Sequence, residues 1–566
     1  MRRGPAVFFL TCLLVASAYG AQRVMREAAA RVTGFSPAHL TAARPPSGPP
    51  PLVRRTVLIL ADGLRSDDAL LLPTVDWLSQ RGAQLRITVP QPGHRLPATA
   101  SLLTGARPEV HGVLLGNGSL KADSLPSGAK RVGLKTGGAG GADVGKLLGI
   151  AMDTWVEVNA PGDLVEKSRS LLSASGPALV VLHSDYLARE MQRIHTASRD
   201  SADYRNALAR FDYTLARLVE QVDLQTSAVV LAGTVPTGPA GTYLPDAPVP
   251  LLMAGAGVKP GYRGEASLLD VASTLSALSG APVPLPNEGK PVLAALGVPA
   301  GRPTDLVFEQ VLASRMAFTE NALAALGSMA VAPDAPLTPA GADAYVAGLD
   351  RQIREARFAA WREWGLNLAP YAGGALVLVL LYLIVVWRQP FGATAFVGTL
   401  IYAAAFHVIF FLAGGRYSAA MNGLEDPQRT GMLLLAACSA GAMAVTVLAT
   451  GFLLSRKGFK KRAYVAGAGL HTALTTSVLM ALPVAVVLGR TGWDFPVSLP
   501  AVGLVVWFFV TCVHVMVIGY LSPLWGALTV TSAALSRQWW PLREIGDPER
   551  NADKVVRLKA LRRKTK

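Results

Sequence analysis

Residues 57–68 read VLILADGLRSDD, a short apolar run that ends in Asp62-Gly63. An unbroken apolar run of this length is typical of a strand buried on both faces of a parallel sheet. Residues 178–183 (ALVVLH) and 227–232 (SAVVLA) show the same pattern. Stretches with helical spacing separate or follow these strands, at 73–83, 202–222 and 267–279. The alternation predicts an α/β domain, a mostly parallel sheet flanked by helices, over residues 56–299.

The chain as a whole is strongly apolar, with 51% hydrophobic residues and a mean hydropathy of +0.35. Five apolar segments are each long enough to span the roughly 30 Å hydrocarbon core of a bilayer. They lie at about 369–387, 391–413, 431–454, 463–488 and 499–521. The composition therefore predicts an all-α membrane domain after the α/β domain and excludes a disordered chain.

The N-terminus has the charged start and short apolar core of an export signal, Met1-Arg2-Arg3 followed by residues 5–19. Cleavage near Gly20 and retention as a signal anchor are both open, and we favour the anchor. The predicted organisation is a signal peptide or anchor, a Pro-rich linker, the α/β domain, a helical connector, the membrane domain, and an interfacial segment with a basic tail. The corresponding ranges are 1–22, 23–55, 56–299, 300–366, 367–522 and 523–566. Residues 523–535 are too short for a further span and are expected to form an interfacial helix or an extension.

The net charge of +16 is concentrated in two segments that follow apolar runs. Residues 456–462 carry +5 and residues 537–566 carry +6. Basic segments beside membrane spans mark the cytoplasmic side, so we expect an integral membrane protein with a cytoplasmic tail and an extracytoplasmic (periplasmic or luminal) α/β domain. This placement favours membrane lipids as partners over nucleic acid. His407, His471 and His514 lie inside the predicted spans, where a functional role and a plain helix-to-helix hydrogen bond are alternatives.

Beyond the run at 57–68, residues 73–83 (PTVDWLSQRGA) and 96–113 (LPATASLLTGARPEVHGV) complete a recognisable set of motifs. In this order they resemble the alkaline phosphatase superfamily. The likeness is strongest to its type I phosphodiesterase/nucleotide pyrophosphatase group and, in architecture, to the GPI ethanolamine phosphate transferases. Residues 201–219, 249–261 and 267–284 agree with that order.

The resemblance implies phosphoryl transfer with two zinc ions and a Thr or Ser nucleophile. Asp62 matches the family's first metal-binding aspartate. The nucleophile belongs two residues before the Pro that opens the LLTG helix, and with Pro97 as that anchor the position is occupied by Arg95. Arginine cannot act as a nucleophile, so no catalytic residue is assigned.

Two further metal ligands match in part. His195 lies six residues before Ser201-Ala202-Asp203-Tyr204, as the family histidine does, and Asp185 is the best candidate for its aspartate partner. The family's Ser-Asp-His-Gly element is replaced by residues 232–235 (AGTV), and no histidine occurs between His195 and His407. Asp62, Asp185 and His195 thus remain as candidate ligands, too few for two tightly bound zinc ions. A single Mg²⁺ or Ca²⁺ held by carboxylates is the alternative.

Three other side chains near these motifs have two readings each. His94 and Arg95, at a helix N-terminus, are either an anion-binding pair or ordinary loop side chains. His111 in PEVHGV is either a structural histidine in the turn that ends the helix or a neighbour of the site. The Gly-rich run at 136–146 (TGGAGGADVGK) lacks the P-loop spacing and is expected to form a loop near the site entrance.

Three functions remain open at this stage. The first is a membrane-anchored, catalytically degenerate relative of these phosphodiesterases, a pseudoenzyme of the cell envelope. It would act in binding or assembly, with anionic lipid or glycan head groups or envelope proteins as partners. The second is an active phosphodiesterase or phosphotransferase with a rearranged or one-metal site. The third is a transporter or assembly subunit that works through its membrane domain.

Overall fold

The predicted strand at residues 57–62 is the central strand, β1, of an eight-stranded mixed sheet in the computed structural model of the protein. The structure describes residues 3–33, 47–89, 95–113, 119–194, 200–237, 247–297, 305–333, 341–413, 427–491 and 502–539. The strands are β1 (Arg55–Gly63), β2 (Gly82–Thr88), β3 (Thr136–Gly140), β4 (Thr154–Glu157), β5 (Leu179–Ser184), β6 (Ser227–Pro236), β7 (Val249–Gly255) and β8 (Arg263–Ser267).

The strand order is β4-β3-β5-β1-β6-β7-β2-β8. All neighbours are parallel except β7, which is antiparallel to both β6 and β2. The three predicted strands are β1, β5 and β6, adjacent at the centre, so the expected mostly parallel sheet is confirmed. The Gly-rich run at 136–146 is not a loop, as we expected, but β3 and the helix after it. Its glycines let the strand pack closely, since a Cβ at Gly138 would lie 2.5 Å from the ring of Trp155.

The helices that follow or connect these strands are α2 (Ser66–Ala69), α3 (Pro73–Gln80), α4 (Arg95–Thr104), α5 (Pro108–His111), α6 (Leu125–Arg131), α7 (Ala142–Leu148), α8 (Leu164–Leu172), α9 (Tyr186–Arg193), α10 (Ala202–Val219) and α11 (Asp270–Ser279). Side chains alternate across β1, so that Leu58 and Leu60 join one buried cluster while Val57 and Ile59 join another. The sheet is therefore covered on both faces, as predicted.

Two helices lead from the α/β domain toward the apolar region, α12 (Asp305–Ala324) and the 46-residue α13 (Ala342–Trp387). The first half of α13 packs on α12 and on α5, through Ile353, Phe318 and Val110. Its second half exposes large apolar side chains, including Leu378 and Val385. The last part of the connector, from Ala342, and the first apolar segment thus form one continuous helix, α13.

The apolar helices are α1 (Arg3–Thr33), α14 (Gly392–Leu412), α15 (Pro427–Arg456), α16 (Arg462–Thr491), α17 (Val502–Tyr520) and α18 (Ser522–Trp539). By length and composition, α1, α13, α14, α15 and α16 can each cross a membrane, and α17 with α18 forms a sixth, bent candidate. The predicted apolar segments are therefore helices of the kind found in membrane proteins.

The N-terminal helix α1 extends past residue 22, the predicted end of the signal segment, because residues 23–33 are rich in the helix formers Ala, Arg and Glu. Its Leu14 is fully buried in a cluster with Tyr402 and Met443. Of the predicted Pro-rich linker, residues 47–54 pack on the α/β domain, where the N–H of Leu52 donates to the Leu278 carbonyl at 2.9 Å.

The helix pair α17 and α18 is bent by 63°. Proline at position 523, which cannot continue a preceding helix, coincides with the break. The Trp525 indole N–H donates to the Ile518 carbonyl at 2.9 Å and so pairs a backbone group near the break. The segment for which we expected an interfacial helix or an extension is α18, whose Thr529 packs against Gly451 of α15 and Gly469 of α16.

Candidate functional site

The candidate site lies at the carboxyl edge of the three central strands. Asp62, near the end of β1, is completely buried. The chain turns sharply after it at Gly63, whose φ is +92°. A Cβ there would lie 2.7 Å from the backbone nitrogen of Ala188, so only glycine allows α9 to approach this closely.

Both neighbouring strands contribute a side chain that binds Asp62. His183 near the end of β5 places Nε2 at 2.8 Å from Asp62 Oδ2. The Thr234 hydroxyl, near the end of β6, donates to Asp62 Oδ1. Since an ionised carboxylate only accepts hydrogen bonds, the proton of this His183 contact is on Nε2.

Arg95, the first residue of α4, supplies a cation to this carboxylate. Its Nε lies 3.6 Å from Asp62 Oδ2 and its Nη1 lies 3.6 Å from Asp185 Oδ2. Its Nη2 donates to the carboxylate of Asp143. The guanidinium is thus held among three carboxylates, one near the end of β1 and two in the segments that follow β3 and β5.

Asp143 and Asp185 are placed by the helices that follow β3 and β5. Asp143 lies in the first turn of α7, and Asp185 directly precedes α9. Asp185 also pairs with Arg189 one turn later, at 2.7 Å. The three carboxylates and two guanidinium groups leave the cluster with a formal charge of −1 before His183 is counted.

The electrostatics keep Asp62 ionised. Burial alone raises the pKa of its carboxyl, but the charge and hydrogen bond of His183, the charge of Arg95 and the hydrogen bond of Thr234 outweigh burial and hold the pKa below its usual value. The site therefore carries a buried, fully hydrogen-bonded carboxylate rather than a general acid.

Besides Arg95 Nε, one buried polar atom of the site has no hydrogen-bond partner among the described residues, Nδ1 of His183. It lies beside Gly141, where a Cβ would be 3.8 Å away. Nδ1 of His183 is therefore available to a hydrogen-bonding ligand.

The zinc pair that the resemblance implies does not fit this arrangement. The oxygens of Asp62, Asp143 and Asp185 that would ligate a dication are paired with the guanidinium of Arg95. A dication in the same space would be repelled by that guanidinium at close range. Across the described ranges, no group of three or more His, Cys, Asp or Glu side chains is arranged to hold a metal ion.

The structure brings together some of the sequence-predicted residues. Asp62 and Asp185 lie on either side of Arg95, while His94 and His195 fall outside the described residues. His111 makes its hydrogen bonds elsewhere, with Ser101 Oγ at 3.0 Å and with the Val113 backbone N–H at 3.1 Å.

The hydrogen bonds of His111 support the interpretation that it is a structural histidine in the turn that ends the helix. Burial is the main cause that lowers the pKa of His111, to about 3, so the imidazole is neutral. Its Nδ1 accepts from the Val113 N–H, which leaves the proton on Nε2 to bond Ser101. The same helix ends at Gly112, with a φ of +83°.

Sequence reasoning missed three residues of the site, Asp143, His183 and Thr234. His183 and Thr234 lie near the ends of two strands that were recognised, so their position at the carboxyl edge was a usable signal. Asp143 was hidden because its Gly-rich segment was interpreted as a loop.

No protein-family model matches the sequence, and no curated protein matches it. Several solved structures are similar to it. Murine ectonucleotide pyrophosphatase/phosphodiesterase 5 in complex with AMP is 12% identical, covers 43% of this chain and 100% of its own, and has a TM-score of 0.37. A Vibrio parahaemolyticus protein in the alkaline phosphatase superfamily is 19% identical, over 48% of this chain and 77% of its own, with a TM-score of 0.36.

A third is the lipoteichoic acid synthase LtaP from Listeria monocytogenes, 14% identical over 43% of this chain and 76% of its own, with a TM-score of 0.33. Each of these solved structures is similar to this chain over less than half of its length.

Proposed function

We propose that this chain is a membrane-anchored, catalytically degenerate relative of the phosphodiesterases and phosphotransferases, which acts in binding or assembly at the cell envelope. The observation that carries the proposal is Arg95. The guanidinium lies at the family's nucleophile position and pairs with the three carboxylates of the site.

The chemistry of the cluster supports loss of catalysis. Two-metal phosphoryl transfer needs a hydroxyl nucleophile and cations that neutralise the phosphate. Here the nucleophile position carries a cation, and its charge is used by carboxylates of the same chain. A phosphate group entering the site would meet Asp62, Asp143 and Asp185, whose combined charge exceeds that of Arg95.

The test is the metal content of the purified full-length protein in detergent, together with turnover of a generic phosphodiester. We expect substoichiometric zinc and no turnover above buffer. The Asp62→Ala variant and the exposed-site control Asp76→Ala should then be indistinguishable from the parent chain in turnover. Stoichiometric zinc with turnover that Asp62→Ala abolishes and Asp76→Ala retains would establish the alternative, an active enzyme with a rearranged or one-metal site.

The arrangement in the membrane is part of the same proposal. With α1 retained as an anchor, six spans alternate so that the α/β domain lies outside, while the basic turn at 456–462 and the C-terminal tail lie in the cytoplasm. Retention of α1 is supported by its packing, since a Cβ on Gly519 of α17 would lie 2.3 Å from the Leu14 carbonyl oxygen. Cleavage near Gly20 would remove Leu14 from that contact.

A second function, with the membrane domain as the working part, is favoured by one specific arrangement. The Tyr402 hydroxyl lies 2.7 Å from Ser439 Oγ and 2.6 Å from His514 Nδ1, buried in the helix bundle, and His514 precedes the break between α17 and α18. Broken helices beside polar side chains occur at the binding sites of transporters.

This alternative is measurable in proteoliposomes that trap a pH-sensitive dye. Proton entry that is lost in Tyr402→Phe and retained in Tyr520→Phe would favour a transporter over an anchor. Tyr520 is a suitable control because its hydroxyl bonds the exposed Gln22 side chain at 2.6 Å instead of the buried cluster. Equal, background-level entry in all three proteins would support the anchor.

A further inference from the structure

A cavity of about 270 Å³ lies where the α/β domain meets α12 and α13. It is separate from the cluster around Asp62, with which it shares no lining residue. Its lining includes one Phe, one Leu and one Ile, but most of its side chains are charged. The charged residues are Arg107, Glu288, Arg315, Asp350, Arg354 and Arg357.

The two carboxylates of this junction cavity are already paired. Glu288 accepts from the Arg107 side chain and from the Arg107 backbone N–H, each at 2.8 Å. Burial raises the pKa of Glu288, but the bonds and charges of Arg107 and Arg315 outweigh it and hold the pKa below its usual value. Asp350 accepts from Arg315 Nη2. Arg107 and Arg315 thus engage both carboxylates of the lining.

Arg315 is the buried member of the set. It is 3% exposed, and its Nε and Nη1 have no hydrogen-bond partner among the described residues. Nη1 is 3.8 Å from Glu288, too far for a hydrogen bond. Buried donors without an acceptor are costly, by about 1–3 kcal/mol each, and a charged donor by more. Such donors lining a cavity indicate an acceptor that belongs there.

Two more arginines face the same cavity from α13. Arg354 and Arg357 are three positions apart, and residues with this spacing lie on one face of a helix. Four guanidinium groups against two carboxylates give the lining a formal charge of +2. Guanidinium groups match the oxygens of phosphate in pairs, which makes a phosphate dianion the most complementary small ligand.

We propose that this junction cavity binds a phosphate group, carried by a small soluble molecule or by a lipid head group. The ligand oxygens take the free N–H donors of Arg315, and Arg354 and Arg357 close over it from the helix that continues into the apolar region. Occupancy would tie the α/β domain to α13, because the lining comes from both. This site is independent of the proposed loss of catalysis at Asp62.

Position favours the soluble source. Arg357 precedes Pro370, where the apolar part of α13 begins, by about 13 residues, which is about 20 Å at 1.5 Å per residue. Lipid phosphates lie within several ångströms of the hydrocarbon core. A lipid would therefore have to be lifted toward the cavity, whereas a soluble phosphate ester reaches it directly.

The test is titration calorimetry of the full chain in phosphatidylcholine nanodiscs with inorganic phosphate, at an ionic strength held constant with chloride. We expect saturable binding by the parent protein and at least a tenfold weaker affinity in Arg354→Ala. Arg354 is exposed, so its removal does not threaten folding. Arg351→Ala is the matched control, since Arg351 is an exposed arginine of the same helix that does not line the cavity, and its affinity should stay within twofold.

Nanodiscs that contain phosphatidylglycerol distinguish the two sources. Unchanged phosphate affinity in these discs supports a soluble ligand. Competition by phosphatidylglycerol that disappears in Arg354→Ala supports a lipid head group at the same site. Absence of saturable phosphate binding in phosphatidylcholine discs, or an equal loss of affinity in Arg351→Ala and Arg354→Ala, would overturn the proposal.

Discussion

At the scale of single residues, Arg95 stabilises the cluster of Asp62, Asp143 and Asp185 and keeps divalent cations from binding these carboxylates. Replacing it by alanine leaves Asp62 and its two neighbouring carboxylates without their shared cation. We expect the Arg95→Ala variant to lose about 3 kcal/mol of unfolding free energy, as when one partner of a buried ion pair is removed. We also expect it to gain affinity for divalent cations, since carboxylate oxygens are their preferred ligands.

The measurement is the melting temperature of the full chain in detergent with and without millimolar Ca²⁺ or Mn²⁺. The cations should raise the melting temperature of Arg95→Ala and leave the parent chain unchanged. Arg189→Ala is the control, because Arg189 pairs with Asp185 from the exposed side and is 45% exposed. If the parent chain responded to the cations as Arg95→Ala does, Arg95 would not be what keeps the cations out.

The lowered pKa of His111 should make the stability of the folded protein depend on pH. Its pKa is about 3 in the folded protein, mainly because of burial, and about 6.5 in an unfolded chain. Between these values the unfolded chain binds a proton that the folded chain does not. Stability should therefore fall by about 1.4 kcal/mol per pH unit as the pH drops from about 6 toward 3.

The His111→Gln variant should lack this contribution. Its melting temperature would start lower, because it disturbs the bonds to Ser101 and Val113, but it would decline less steeply between pH 6 and pH 4. Parallel curves for the two proteins would show that His111 does not titrate in this way.

The candidate site was only partly accessible to sequence reasoning, for a physical reason. Asp62 lies near the end of a recognisable strand, so its place at the carboxyl edge of the sheet could be predicted from one segment. Asp143, His183 and Thr234 come from segments that are distant in the sequence, and only the strand order brings them to Asp62. That Arg95 is a counter-ion depends on the direction of a long side chain, which no local pattern records.

At the scale of elements, the contact between α1 and α17 depends on a glycine. A Cβ at Gly519 would lie 2.3 Å from the Leu14 carbonyl oxygen and 2.6 Å from the Ala18 Cβ. Gly519→Leu should therefore separate the two helices and cost about 1–3 kcal/mol, as overpacking of a filled interface does. We expect a lower melting temperature and loss of the N-terminal helix from the bundle, seen as faster protease cleavage after Arg23 or Arg26.

Gly374→Leu on α13 is the matched control, because nothing lies within 4 Å of a Cβ built there. It replaces the same residue type in another apolar helix. We expect it to change the unfolding free energy by no more than about 0.5 kcal/mol, the usual range for surface substitutions. Equal destabilisation by both substitutions would mean that the α1–α17 contact is not close-packed.

Elements were predictable where a single local property decides them. Apolar runs of 19 residues or more located α13 to α17, since hydropathy needs no knowledge of neighbours. Hydropathy alone could not predict that α18 packs inside the helix bundle, because α18 is shorter and more polar. Its position depends on close contacts with Gly451 and Gly469 on two other helices. Likewise β2 and β8 were missed because their exposed positions break the apolar run, while their pairing partners come from elsewhere in the chain.

At the scale of the whole molecule, charge and packing make one arrangement self-consistent. The basic turn at 456–462 lies at the end of α15, and Arg537 of α18 donates to the Phe459 carbonyl of that turn. Arg537, the first residue of the second basic segment, therefore lies at the same end of the helix bundle as the basic turn. Positive charge at a single end is what the cytoplasmic face of a membrane protein carries.

This arrangement predicts opposite accessibility for two engineered cysteines. In a background without Cys12, Cys438 and Cys512, Ile150→Cys places a thiol on the α/β domain at a position that is 93% exposed, and Lys460→Cys places one in the basic turn. In intact cells a membrane-impermeant maleimide should label Ile150→Cys and not Lys460→Cys. After permeabilisation both should react, which controls for the intrinsic reactivity of each thiol. Labelling of Lys460→Cys alone in intact cells would place the α/β domain in the cytoplasm and refute the extracytoplasmic role. The basic turn would then lie outside the cell, and α1 would cross the membrane in the opposite direction.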